Sequence, residues 1–414
     1  VGGATEAVSP VTPDRAETSD VLVVGGGAAG LSLAHRLAEN PAATVTLVEP
    51  PDGPLRPAER TWCYWAAGTD GLEEAVSASW SVLRVHGADG RPLTVGPAPF
   101  TYRMVRSTDF ERMVHGRLAR ADGARLLRAT VDSVCDVPGG AAVRCALPGG
   151  RSLTLHARKV FDSRPLPGLP PARTRLLQHF RGWFVRTATD RFDPTVADLM
   201  DFRVPQPAQG LAFGYVLPLT PDRALVEYTE FSRDVLTTEA YEAALGRYCR
   251  DVLGLGELTV ERTEQGVIPM TDARFPRRAG SAVFRIGTAG GATRPATGYT
   301  FAAVQRHGRA IAAALRDGHG GIPAPYGRRA LAMDAILLRA LDTGRIDGPD
   351  FFTGLFRDVP AERLLRFLDG TTSLREEWCI GLRTPVRPML RTAAEVPFLP
   401  RRSRPAARTG GSNR

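Results

Sequence analysis

Asp20-Val21-Leu22-Val23-Val24-Gly25-Gly26-Gly27-Ala28-Ala29-Gly30 is the stretch that decides how this chain folds. An apolar, β-branched run stops at three glycines, and Leu31, Leu33, Ala34, Leu37 and Ala38 then recur at helical spacing, so the segment reads as strand, tight turn and helix. Gly25, Gly27 and Gly30 make G-x-G-x-x-G, with Ala28 and Ala29 opening the helix. Such glycines permit the turn, the approach of backbone to a pyrophosphate, and close helix packing, while the helix N-terminus attracts the anion. A second strand, Thr44 to Val48, ends at Glu49, 19 residues beyond Gly30, where an acid accepts hydrogen bonds from ribose hydroxyls. Strand, helix and acid in register form a βαβ dinucleotide unit, and the acid favours a free 2′-hydroxyl, hence FAD or NAD over NADP.

The pattern returns near the other end. Ala282 to Ile286 reads as a strand, Gly287 to Gly298 as a glycine-rich loop, and Thr300 to about Leu315 as a helix. Two such units far apart point to FAD held by both ends of one discontinuous domain. The expected fold is α/β: a Rossmann-like FAD-binding domain of the flavin-monooxygenase type from 19–165 and 280–318, an inserted β-sheet substrate domain at 166–279, and a helical region at 319–400. Within the insert, Leu211 to Leu219 and Ala224 to Phe231 predict a hairpin around Thr220-Pro221-Asp222-Arg223. A helix follows with Tyr241, Leu245, Tyr248 and Val252 on one face and Thr238 near its start. Residues 1–18 and the basic 401–414 tail read as disordered.

Composition narrows the function classes. The 43% hydrophobic and 23% charged fractions are globular, and no apolar run approaches the roughly 18 to 20 residues of a spanning helix. The formal charge of +9 comes without a helix-turn-helix, zinc-finger spacing or aromatic-basic strand motif, which favours an anionic membrane surface over nucleic acid. Five scattered cysteines without C-x-x-C indicate reduced thiols and no metal site. Strand alternation in Leu225-Val226-Glu227-Tyr228-Thr229 puts Glu227 on a face with Leu225, Thr229 and Phe231, and Glu230 on the other. A carboxyl on a mainly apolar face keeps its proton near neutrality, as a general acid must.

Several segments together resemble the bacterial lycopene cyclases: Arg60 to Trp65, Phe161 to Pro165, Gln178 to Trp183, Leu199 to Arg203, Tyr215 to Leu219, Leu225 to Thr229, Gly266 to Met270 and Gly287 to Tyr299. The resemblance spans roughly residues 20 to 390. It implies lycopene β-cyclase activity, converting ψ ends to β rings through γ-carotene to β-carotene, with reduced FAD, NAD(P)H as external reductant and no net redox change. It also implies lycopene drawn from the bilayer by a cytoplasmic protein held peripherally on the inner face of the cell membrane, and no nucleic-acid partner. Glu227 matches the family's catalytic glutamate, and Glu264 is a weaker, more structural candidate. Trp62, Tyr64 and Trp65 are candidate aromatics for cation-π contact, with Tyr215, Leu225 and Thr229 beside the substrate. Arg106, Asp162, Gly287, Thr288, Pro295, Thr297, Gly298 and Tyr299 join the fingerprint in binding the cofactor. Thr288 departs from the flavin monooxygenases, which usually carry an acid there. The rival readings are an FAD-dependent monooxygenase or polyprenyl reductase acting on an isoprenoid, and a non-catalytic carotenoid-binding protein. Phe351, Phe352, Leu355 and Phe356, near Arg357, Arg363 and Arg366, form the expected membrane anchor.

Overall fold

A computed structural model describes residues 17–318 and 321–403. The Glu17–Val24 strand lies inside a seven-stranded sheet, parallel to Val45–Glu49 on one side and Ser152–Asp162 on the other. Ala124–Arg128 extends the first edge; Val283–Arg285 pairs with the end of Ser152–Asp162, and Gly140–Ala146 and Thr130–Val137 complete the meander. Central strands of a sheet covered on both faces need apolar residues throughout, and Val45–Glu49 is buried at all five positions. The Ala28–Leu37 and Phe301–Arg316 helices close one face together: Gln305 Nε2 donates to Ser32 Oγ at 2.7 Å across 273 residues of sequence. The two ends of the chain therefore share one domain.

The second sheet also has seven strands, in the order Leu258–Thr271, Arg175–Thr187, Arg223–Ser232, Leu211–Thr220, Val196–Asp201, Val82–His86 and Pro92–Val95. The Leu211–Thr220 and Arg223–Ser232 hairpin is present as expected. Val82–His86 and Pro92–Val95 fall inside the span assigned to the nucleotide domain, yet they are bonded into this sheet, with Val82–His86 parallel to Val196–Asp201. Parallel pairing joins segments distant in sequence, so local periodicity cannot reveal it. A third sheet of Thr61–Ala67, Phe100–Arg106 and Val76–Trp80 stands between the two domains' cores.

One face of the second sheet, with Val216, Val226 and Tyr228, is covered by Tyr241, Leu245 and Tyr248 of the Thr238–Arg247 helix and its π-helical continuation. Thr238 is its first residue and Thr237 caps it: the Thr237 hydroxyl accepts the Ala240 N–H at 3.3 Å. The other face carries Phe213, Leu217, Leu225 and Phe231 into a core shared with Trp65, Tyr102 and the C-terminal helices.

Those helices, Arg328–Asp342, Gly348–Asp358, Ala361–Leu368, Leu374–Gly381 and Val386–Glu395, correct the expected membrane anchor. Phe351, Phe352, Leu355 and Phe356 are only 2–6% exposed and belong to that core. Burial of each contributes about 1.5–3 kcal/mol to the fold relative to exposure to water, and side chains packed in the core present no apolar surface to a membrane. Most of the lead-in and tail lies outside the described residues, but Glu17 and Thr18 pair with Leu155 and His156, and Arg402 bridges Ala172, so both ends of the fold reach further than expected. Among the described residues no helix is long and apolar enough to cross a membrane, and all five cysteines are free.

Candidate functional site

The fingerprint forms a cradle whose shape explains each glycine. Gly25 has φ +99°, a conformation that favours glycine. A Cβ on Gly30 would stand 1.9 Å from the Gly25 carbonyl oxygen, whereas a Cβ on Gly27 meets no described atom within 4 Å. Gly27 thus faces the side left free for a pyrophosphate. Glu49 is 1% exposed, with Arg128 Nη1 at 2.9 Å, His115 Nε2 at 3.1 Å and Arg56 Nη1 at 3.6 Å. Neither Glu49 oxygen has a hydrogen-bond partner among the described residues. Buried acceptors normally find donors, and two ribose hydroxyls would supply them, so the residues fit the nucleotide. The Arg56, His115 and Arg128 side chains around Glu49 were not legible in the sequence, since they come from separate elements.

Gly287, with φ +64°, lets the second loop rest on the first helix: its Cβ would lie 2.8 Å from that of Ala29. Gly298, φ +70°, packs as tightly on Gln178, and the buried Thr297 hydroxyl is unpartnered among the described residues. Pro295 is buried in the same loop; Thr288 is exposed, its hydroxyl 3.1 Å from that of Thr293. Two expected cofactor contacts are engaged elsewhere. The Asp162 carboxylate receives Arg164 at 2.8 Å and 3.0 Å, and Arg106 donates to Glu59 at 2.7 Å, although the buried Arg106 Nε keeps no described partner.

The chemistry-bearing face lies on the second sheet. Tyr215, Glu227, Gly182 and Glu264 occupy one cross-strand row: Tyr215 pairs with Glu227, and Gly182 pairs with Glu227 on one side and Glu264 on the other. Gly182 has no side chain to separate its neighbours; a Cβ there would be 3.3 Å from Glu264 Cγ and 3.7 Å from Glu227 Cβ. Thr229 Oγ1 donates to Glu227 Oε1 at 2.7 Å, and Thr61 Oγ1 to Glu264 Oε2 at 2.7 Å. Burial, reinforced by the Glu264 charge and only partly offset by the Thr229 hydroxyl, raises the Glu227 carboxyl to about 8. Glu264 is also raised by burial, against the Thr61 hydrogen bond and the Arg262 charge. Glu227 keeps some accessible surface although protein surrounds it. Glu230 points to the opposite face and accepts the Tyr228 hydroxyl at 2.8 Å.

The third sheet splits the expected aromatic trio by alternation. Trp65 faces the row, its ring 4.8 Å from that of Tyr299, and Cys63 shares its side of the strand. Trp62 and Tyr64 instead pack on Phe301, with centroids 5.3 Å and 5.1 Å away, in the nucleotide-domain core. Leu225 and Thr229 stand beside Glu227 as expected, while Asp201 and Arg203 form an ion pair capped by the Tyr248 hydroxyl at 2.9 Å, a structural role. No local pattern placed Glu264 beside Glu227; the register, which sets Gly182 between the two acids, brings them to one row.

The sequence model of the family described as lycopene cyclase protein matches residues 20–394. The chain belongs to the lycopene cyclase family. That membership ties this lycopene cyclase relative to carotenoid chemistry. No curated protein sequence matches it. Among solved structures it is similar to a flavoprotein/dehydrogenase from Cytophaga hutchinsonii, with TM-score 0.60, 12% identity and coverage of 91% of this chain and 99% of that one. It also resembles p-nitrophenol 4-monooxygenase from Pseudomonas putida, with TM-score 0.57, 15% identity and coverage of 93% and 100%. A geranylgeranyl bacteriochlorophyll reductase-like protein from Thermoplasma acidophilum gives TM-score 0.56, 16% identity and coverage of 92% and 96%. At these identities the likeness shows the fold of the cyclase-family chain, a Rossmann-type flavoprotein, and nothing about its reaction.

Proposed function

We propose that this protein is a lycopene β-cyclase in which Glu227 supplies the initiating proton. The observation that carries the reading is a carboxyl held protonated near neutrality on an apolar sheet face, opposite Tyr215 and within the core that contains Trp65 and Tyr299. Ring closure starts when the acid adds a proton to the terminal alkene of a ψ end. The neighbouring double bond then forms the new C–C bond to the tertiary cation, and a ring proton is lost to leave the β ring. Substrate and product are isomers, so no electrons are gained or lost overall.

Each step has a candidate in the row or beside it. Glu227 delivers the proton, with Thr229 fixing its orientation. The carboxylate left behind can recover a proton from the ring, and its basicity is greater for having Glu264 nearby. Trp65 and Tyr299 offer aromatic faces to a cation, worth roughly 0.5–2 kcal/mol each. The surrounding apolar core excludes the water that would trap the cation as an alcohol. Reduced FAD, when bound in the cradle of Gly27, Glu49 and the Gly287 to Gly298 loop, supplies negative charge that favours the cation, and NAD(P)H is the proposed external reductant. Lycopene reaches the protein from the cytoplasmic leaflet of the membrane.

Expression in a lycopene-accumulating bacterial host, followed by pigment chromatography, tests the reading: γ-carotene and β-carotene are expected. Unchanged lycopene despite folded, flavin-bound protein would overturn it.

A further inference from the structure

The anchor expected at Phe351 to Phe356 is buried, but another apolar surface is not. Between Leu374 and Phe398 six large apolar side chains face solvent, among them Trp378 at 71% and Phe398 at 88% exposure. Leu374, Trp378 and Leu382 recur every fourth residue along one helix, and Val386 and Leu390 do so along the next. Helical spacing of four keeps each set on one side. The inward sides are occupied: Ile380 is 1% exposed in the core that also holds Leu225 and Phe231, and Thr392 is fully buried. These helices therefore roof the core to which the reaction face belongs, with their own apolar residues turned outward.

The charges of the segment are sorted in the same direction. Every acid in it is neutralised from elsewhere in the fold: Glu376 by Arg366 at 2.8 Å, Glu377 by Arg329, and Glu395 by Arg339 at 2.7 Å and by Arg345. Arg375, Arg387 and Arg391 are exposed and have no acidic partner among the described residues. Arg401 pairs with Asp272 at 3.4 Å, but the stretch from Arg402 to Arg414 contains four further arginines and no acid. Exposed apolar groups interleaved with unneutralised arginines match an anionic lipid surface, which accepts both at once. A second copy of the chain fits less well, because a two-fold contact would set like charges against one another.

We propose that the Leu374–Gly381 and Val386–Glu395 helices are the surface by which this protein docks on anionic lipid. The cyclase reading gives the surface its purpose, access to an apolar substrate, but its test needs no turnover. Full-length protein is floated with vesicles of phosphatidylcholine alone and with added phosphatidylglycerol. Binding is expected with phosphatidylglycerol, weakening as salt rises. W378S/F398S should reduce binding by at least about tenfold, since lost apolar insertion of about 1.4 kcal/mol already gives that factor. R387E/R391E should weaken binding to phosphatidylglycerol vesicles specifically. Bound flavin and circular dichroism should stay unchanged, because these side chains point outward. Absence of wild-type binding, or equal binding by W378S/F398S, would overturn the proposal. So would a lipid-free dimer of the wild type that W378S/F398S converts to monomer, which would make the face a self-association surface. Failure to cyclise lycopene with vesicle binding intact would count against the reaction assignment alone.

Discussion

Glu227 and Glu264 are in register with the same residue, Gly182, from opposite sides of its strand, so two carboxyl groups share one sheet face with no side chain between them. Like charges on a buried face disfavour double ionisation, and the proton retained there is the one a cyclase needs.

Replacing Glu227 by Gln should leave fold and flavin intact, because size is kept and the fingerprint lies in another sheet. Cyclisation should drop by the roughly 100-fold to 10,000-fold that general acid catalysis supplies. Carotenoid chromatography beside the flavin absorbance of the purified variant checks both; an active, flavin-bound variant would exonerate Glu227.

The pH dependence follows from the same carboxyl. Its folded value of about 8 lies above the ordinary 4.5, so the protonated, active form is lost as pH rises through about 8. Its contribution to stability has the same sign, being fully present below about 4.5 and gone above about 8. E264Q removes the neighbouring charge and should move the alkaline limb of the rate profile to lower pH. An unmoved limb in E264Q would show the two groups to be independent.

Two glycines of the fingerprint should fail differently. G27V meets no described protein atom near its Cβ and should give folded protein without flavin, whereas G30V drives a Cβ into the Gly25 carbonyl and should unfold the domain. Flavin stoichiometry and thermal melting separate the two outcomes; full flavin retention in G27V would remove the pyrophosphate from that side.

In deuterated water each new ring should carry one solvent-derived deuterium, read by mass spectrometry of the product. Nicotinamide consumption should not track product, because the reaction is an isomerisation. Consumption equal to product would move the chemistry to reduction or monooxygenation.

The sequence by itself determined the dinucleotide unit, the Leu211–Thr220 and Arg223–Ser232 hairpin and the facing of Glu227. These depend on turn chemistry and on the periods of strand and helix, which act over a few residues. Only the tertiary structure decided that Glu264 stands across Gly182 from Glu227, that Cys63 and Trp65 rather than Trp62 and Tyr64 face the row, and that Val82–His86 joins the second sheet. It also decided which apolar helices are buried: Phe352 and Trp378 look alike in sequence, yet one fills the core and the other meets solvent. Register between distant strands and the side a helix turns inward are set by packing across the whole chain, and no local period encodes them.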